Sequence, residues 1–215
     1  MNLYNKIVLF FGNRFIVKFV NYYSFTVVNV LIGFYSISYL SKTINPEEYG
    51  MLGIFGSILF FIPTLISFSA NGLQSVEIVG KSSSEYLIFR NQLFSFLLVS
   101  TMLFLIPVVA ACIYFTDYVF IIISAFLLGF AIVCTSIHNT ELVQNAKASQ
   151  YGLLSSGSIL VSFVLTVLFL SFFELDWKFR ISALIISEFI FILIRFYFIS
   201  GIWHSFKFSI DLGFW

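Results

Sequence analysis

The chain has 215 residues, of which 60% are hydrophobic, 20% aromatic and only 10% charged, with a formal net charge of +1. An ordinary soluble domain carries about a quarter of its residues as charged ones, so a water-soluble globule is excluded and a bilayer protein indicated. The basic residues are dispersed rather than clustered, which leaves no basic field for nucleic acid.

A hydrocarbon layer about 30 Å thick demands roughly 20 mostly apolar residues in helical form, or shorter alternating strands closed into a barrel. The apolar runs here are long and continuous, which predicts an all-α, polytopic bundle. The N-terminal stretch "MNLYNKIVLFFGNRFIVKFV" opens like a signal peptide, but its apolar core is short and Arg14 and Lys18 stand where a cleavage site belongs. Residues 1–22 are therefore expected to be retained along the membrane interface. Six spans are expected, at about 23–41, 51–70, 91–114, 118–137, 152–173 and 181–203, with 204–215 as a tail or the start of a linker. Ser24, Thr26, Asn29, Ser36 and Ser38 dilute the first.

Between the first two spans, "SKTINPEEYG" places two adjacent carboxylates, Glu47 and Glu48, beside a proline. Asn45 is a favoured N-cap, Pro46 suits the first helical position, and Glu48 falls three residues after the cap, where a capping box places its acid. The pair starts a helix rather than forming a site. Pro63 and Pro107 fall inside the second and third spans, where each is expected to loosen or kink its helix, as a hinge or simply as a tolerated break. Residues 71–92 read as a polar loop punctuated by Gly72 and Gly80, with Lys81 and Arg90 near the membrane surface. Cys112 and Cys134 lie towards opposite ends of neighbouring spans, so no disulfide is expected between them.

Residues 138–152, "HNTELVQNAKASQYG", read as a second polar loop, whose helical face ends the fourth span and starts the fifth. His138 and Glu141 have a spacing that metals use, but no further His or Cys stands near to complete a ligand set. The fifth span carries Gly152, Ser155, Ser156, Gly157, Ser158 and Ser162, a small-residue surface suited to close helix approach. In the sixth span Glu188 and Arg195 lie deep in an apolar run, two helical turns apart on one face. Ionisable groups at that depth cost enough that they normally face a bundle interior or a wet cavity. Either they line such a cavity, or Arg195 snorkels to the membrane surface while Glu188 pairs with another helix.

Basic residues near span ends stay on the cytoplasmic side. With the N-terminus inside, that side holds Lys6, Arg14, Lys18, Lys81, Arg90, Lys147 and Lys207 against Lys42, Lys178 and Arg180 outside, and both termini are cytoplasmic. Catalysis finds no support: there is no phosphate-cradling glycine loop, paired-Cys motif or His-rich cluster, and no cofactor is expected.

A polar-spotted first span leading into "INPEEYGMLGIFGSI" resembles the opening of the polysaccharide-unit flippases of the multidrug, oligosaccharidyl-lipid and polysaccharide exporter superfamily. "SANGLQSVEIVGK", "NTELVQNAKASQYGLLSSGSIL" and "DWKFRISALIISEFIFILI" extend the similarity over nearly the whole chain. The resemblance implies one six-helix lobe of a MATE-like fold in the inner (cytoplasmic) membrane. Its implied cargo is a polyprenyl-pyrophosphate-linked oligosaccharide of surface polysaccharide (O-antigen or capsule) biosynthesis, moved from the inner to the outer leaflet. Arg14, Lys18, Arg90 and Arg195 would supply cations for the pyrophosphate, and Glu188 would join them in the cavity. Such flippases usually have twelve or more spans and this chain has six, so an N-terminal lobe is expected, working with a C-terminal lobe or a second copy. A small-solute exporter half of the same superfamily, and an inactive remnant or membrane interaction protein, are the alternatives.

Overall fold

The computed structural model describes residues 14–145, 147–173 and 176–198. Among them are seven α-helices: α1 (Arg14–Thr43), α2 (Pro46–Ser67), α3 (Ala70–Gly80), α4 (Ser83–Tyr114), α5 (Val119–Gln144), α6 (Ala148–Val167) and α7 (Lys178–Phe198). A 3₁₀ turn, Thr116–Tyr118, leads into α5 and a π-helical turn, Leu168–Phe172, prolongs α6. Among the described residues five stretches are long and apolar enough to cross a membrane: Val20–Thr43, Pro46–Ser67, Ser84–Tyr114, Thr116–Gln144 and Ala148–Phe172. This is the architecture of a multi-pass, helical membrane protein.

The α1–α2 junction forms as its residues dictate. The Asn45 side chain accepts the Glu48 backbone N–H at 2.8 Å, the Glu48 carboxylate accepts the Asn45 N–H at 3.4 Å, and Pro46 opens the helix. Pro63 and Pro107 sit within α2 and α4, and neither breaks its helix into two.

Two polar stretches, one expected as a loop and one as a loop with helical ends, are largely helical. Residues 71–92 comprise α3, a two-residue break and the first turns of α4, so that α4 begins eight residues before the expected edge of its span. Ser82 and Glu85 form a second capping box there, and Glu77 bridges Lys81 one turn on at 2.6 Å. Within 138–152, residues 138–144 form the last turns of α5 and 148–152 the first of α6, as the helical ends expected there require. The hydrophobic window that marks a span underestimates its helix, because capped polar turns continue beyond the hydrocarbon.

The break between α2 and α3 is unusual. Phe68 and Ser69 adopt left-handed backbone, φ 44° and 61°, a conformation that costs a non-glycine residue about 1 kcal/mol or more. The Phe68 ring packs between Phe96 and Phe104 of α4, with centroids 6.1 and 6.0 Å away, contacts that help to hold this turn.

The registers of contact show how the helices run. Phe25 meets Gly152 and Tyr39 meets Ser171, so α1 and α6 are parallel. Ile121 packs with Ile181 while Asn139 meets Arg195, so α5 and α7 are parallel too. Ser158 meets Ser187 and Thr166 meets Arg180, so α6 and α7 are antiparallel. One end of the bundle, here the proximal end, therefore gathers the 81–82 and 145–147 connections and α3. The distal end carries the 44–45 and 115–118 connections.

At the centre stands α5. One apolar cluster joins its Phe126, Val133 and Ile137 to Ile66, Phe89 and Leu93; another joins Ile121, Ala125 and Leu128 to Phe55 and Ile181. Gly129 lets α2 approach: a Cβ there would collide with Ile62. The small-residue surface of α6 works as its composition predicts, since a Cβ on Gly152 would overlap the Phe25 ring and one on Gly157 would lie 2.7 Å from Phe191.

Candidate functional site

The last turns of α5 change character. Through Ile121–Val133 its buried residues are almost all apolar or small, whereas from Thr135 onward Ser136, His138, Asn139, Thr140 and Glu141 follow within two turns. A helix presents successive residues about 100° apart, so these polar groups fan out towards different neighbours. Ser136 receives the Asn71 side-chain N–H from α3 at 2.9 Å, and Asn139 receives an Arg195 N–H from α7 at 2.6 Å. Glu141 pairs with Arg90 of α4 at 3.5 Å. The Gln74 amide donates to the Ile137 carbonyl and to the Tyr86 hydroxyl, both at 3.0 Å. Three helices are thus tied to one polar decapeptide at the proximal end.

Burial makes these contacts consequential. Arg90 and Arg195 are each 4% exposed and His138 8%. A buried charge is tolerated only when paired or well hydrogen-bonded. Arg195 has its bond to Asn139 and a longer one to the Thr135 carbonyl at 3.4 Å, while Arg90 has Glu141. The Nε atoms of both arginines and Nδ1 of His138 have no hydrogen-bond partner among the described residues. His138 lies within electrostatic range of Arg195, Lys147 and Arg90, so the neighbourhood is cationic.

Two clefts flank this segment. One, about 330 Å³, is lined by uncharged hydrogen-bonding groups, among them Ser75, Ser136, Asn139, Thr140 and Gln144, and by Tyr151. The other, about 380 Å³, lies between the end of α5 and the start of α6 and is lined by His138, Glu141, Lys147 and Gln150 with leucines beside them.

The expected site residues separate into three groups. Arg90 and Arg195 come together on α5, from α4 and α7. Glu188 stands apart, deeper in the bundle, where its Oε1 accepts the Ser158 hydroxyl at 2.7 Å and its Oε2 is buried without a partner among the described residues. Its one hydrogen-bond donor among the described residues thus comes from α6. Arg195 does not snorkel to the surface; it turns inward to α5. Arg14 and Lys18 lie in the first turns of α1.

Asn139, Ser136 and Gln74 were not foreseen as partners. Their trace in the sequence is the helical spacing of Thr135 and Asn139, and of Ser136 and Thr140, which only matters once 138–144 is helix rather than loop. Cys112 and Cys134 are both free thiols. Among the described residues no cluster of three or more metal-ligating side chains occurs. No family model, no curated protein and no solved structure matches the chain.

Proposed function

We propose that the chain forms one six-helix lobe of a flippase that carries a lipid-linked oligosaccharide, with a polyprenyl-pyrophosphate anchor, across the inner membrane for surface polysaccharide synthesis. On this reading α7 is the sixth span, the proximal end faces the cytosol, and a C-terminal lobe or a second copy completes the pathway. The observation that carries it is the convergence of Arg90 and Arg195 on the polar end of α5, with Asn139, the acceptor of Arg195, in the wall of a cleft lined by hydroxyls, amides and one tyrosine. Cations suit a pyrophosphate and hydroxyl or amide groups suit sugar hydroxyls. The lipid tail stays in the bilayer, so only the head requires a polar route.

The reading is tested by deleting the gene and assaying lipid-linked oligosaccharide in each leaflet. Accumulation on the inner leaflet with loss of surface glycan is expected; unchanged glycan overturns it. Reporters fused at Ser83, Thr116 and the C-terminus should respond as inside, outside and inside. Arg195→Lys, which keeps the charge but cannot reproduce the guanidinium geometry, is expected to lower surface glycan while leaving membrane insertion intact.

A further inference from the structure

In the cleft that Ser75 of α3, the end of α5 and Tyr151 of α6 enclose, most polar groups have already spent one side of their hydrogen-bonding capacity. The Ser75 hydroxyl donates to the Asn71 carbonyl at 2.9 Å, Thr140 to the Ser136 carbonyl at 3.0 Å, and Ser136 to the Val133 carbonyl at 2.8 Å. With their protons held by their own helices, these oxygens have only lone pairs left to offer. Asn139 is their complement: its Oδ1 accepts Arg195, so its NH2 is what remains to donate. Gln144, exposed near the end of α5, can do both. Tyr151 closes one side with a ring 5.4 Å from that of Tyr22 on α1. None of the described residues that line this cleft is charged, whereas His138, Glu141 and Lys147 all line the other one. The Arg195 guanidinium bonded to Asn139 is itself buried and also donates to the Thr135 carbonyl.

We propose that this cleft selects by charge: it takes an uncharged sugar of the cargo and rejects sugars that bear a carboxylate. A sugar hydroxyl donates and accepts at once, so it can give its proton to Ser75 or Thr140 and receive one from Asn139 or Gln144. A carboxylate only accepts. It would face hydroxyl oxygens whose protons point away, and no cation in the wall offsets its desolvation. The volume, about 330 Å³, lies at the small end of ligand pockets and suits a terminal sugar rather than a whole oligosaccharide. This selection rests on the flippase reading for what carries the sugar, while the preference for a neutral ring belongs to the cleft alone.

Purified full-length protein in phosphatidylcholine nanodiscs is titrated with the methyl glycosides of glucose, galactose, mannose and N-acetylglucosamine, and with glucuronate and galacturonate, binding being followed by saturation-transfer NMR. At least one neutral glycoside is expected to bind, roughly tenfold or more tighter than either uronate. Thr140→Val keeps the side-chain shape and removes an acceptor, and is expected to weaken that glycoside roughly fivefold, as loss of one neutral hydrogen bond does. Gln144→Ala, on an exposed side chain whose removal does not threaten the fold, gives a second reading of the same wall. Ser57→Ala on α2 removes a hydroxyl that likewise donates to its own helix but lies outside the cleft, and leaves binding unchanged. Absence of binding by every neutral glycoside, uronates bound as tightly as their neutral counterparts, or binding that ignores both Thr140→Val and Gln144→Ala overturns the proposal. Each of these results leaves the flippase reading to be decided by lipid-linked oligosaccharide in the two leaflets of the deletion strain. Conversely, the expected glycoside selectivity in a protein whose loss leaves those leaflets unchanged supports the cleft and overturns its carrier.

Discussion

Two apolar helices of similar length, α1 and α5, have opposite fates. In the most apolar window of the Thr116–Gln144 stretch 61% of residues are buried, against 11% for Val20–Thr43. α5 contacts the apolar faces of α2, α4 and α7 and ends in a polar segment that binds side chains from three helices. α1 leans chiefly on α6, through Phe25, Asn29 and Tyr39, and leaves Val30, Phe34 and Tyr35 more than half exposed. The difference teaches that hydrophobicity places a helix in the membrane without saying whether lipid or protein will cover it. Close packing needs small residues and satisfied polar groups, and α5 meets partners that supply both.

The comparison is broken most severely at Arg90. Arg90→Met leaves the half-buried Glu141 carboxylate at the cleft wall without its partner and is expected to cost about 3 kcal/mol, whereas Arg90→Met combined with Glu141→Leu removes both charges and recovers most of it. Unfolding in detergent measures this; a double variant as unstable as the single would show that Glu141 is not the stranded group.

Glycines sharpen the contrast. Gly129→Leu forces a side chain into Ile62 and is expected to cost about 3 kcal/mol, while Gly33→Leu on α1, where a Cβ meets nothing within 4 Å, leaves the melting temperature unchanged. Equal effects at the two positions would mean that α5 is not the packing centre.

Asn139→Ala removes the best acceptor of a buried guanidinium, at about 2 kcal/mol, and Asn139→Asp, which also accepts, should restore most of the loss. Smallest of all, Phe34→Ala on the open face of α1 is expected to stay within about 0.5 kcal/mol. A larger loss from Phe34→Ala would reveal that α1 is covered by protein, as a second lobe would cover it.

Legibility in the sequence varied along the same division. The Asn45 capping box was readable because caps are local: the side chain bonds to an amide three residues away, and no distant partner is involved. The close packing of α6 was readable from Gly152 and Gly157 because small residues act by what they lack. Residues 71–92 read as a loop and 138–152 as a loop with helical ends, since polarity alone does not distinguish solvated coil from helix whose polar face has partners. The Ser82-x-x-Glu85 pattern was the available clue to where α4 starts. Glu188 and Arg195 stand out in the sequence as ionisable groups deep in an apolar run, yet their partners, Ser158 and Asn139, lie 30 and 56 positions away and carry no local mark.

By itself the sequence determined that the chain must bury its backbone in helices, where several of those helices start, and that a few charges sit too deep to be left unpaired. These follow from the solvation of peptide groups and ions in hydrocarbon, which depends on each segment alone. Only the tertiary structure decided that α5 is the centre, that Arg90 and Arg195 meet on its polar end, and that clefts open beside them. Those outcomes depend on which faces of separate helices fit together, a matter of shape and hydrogen-bond partners far apart along the chain.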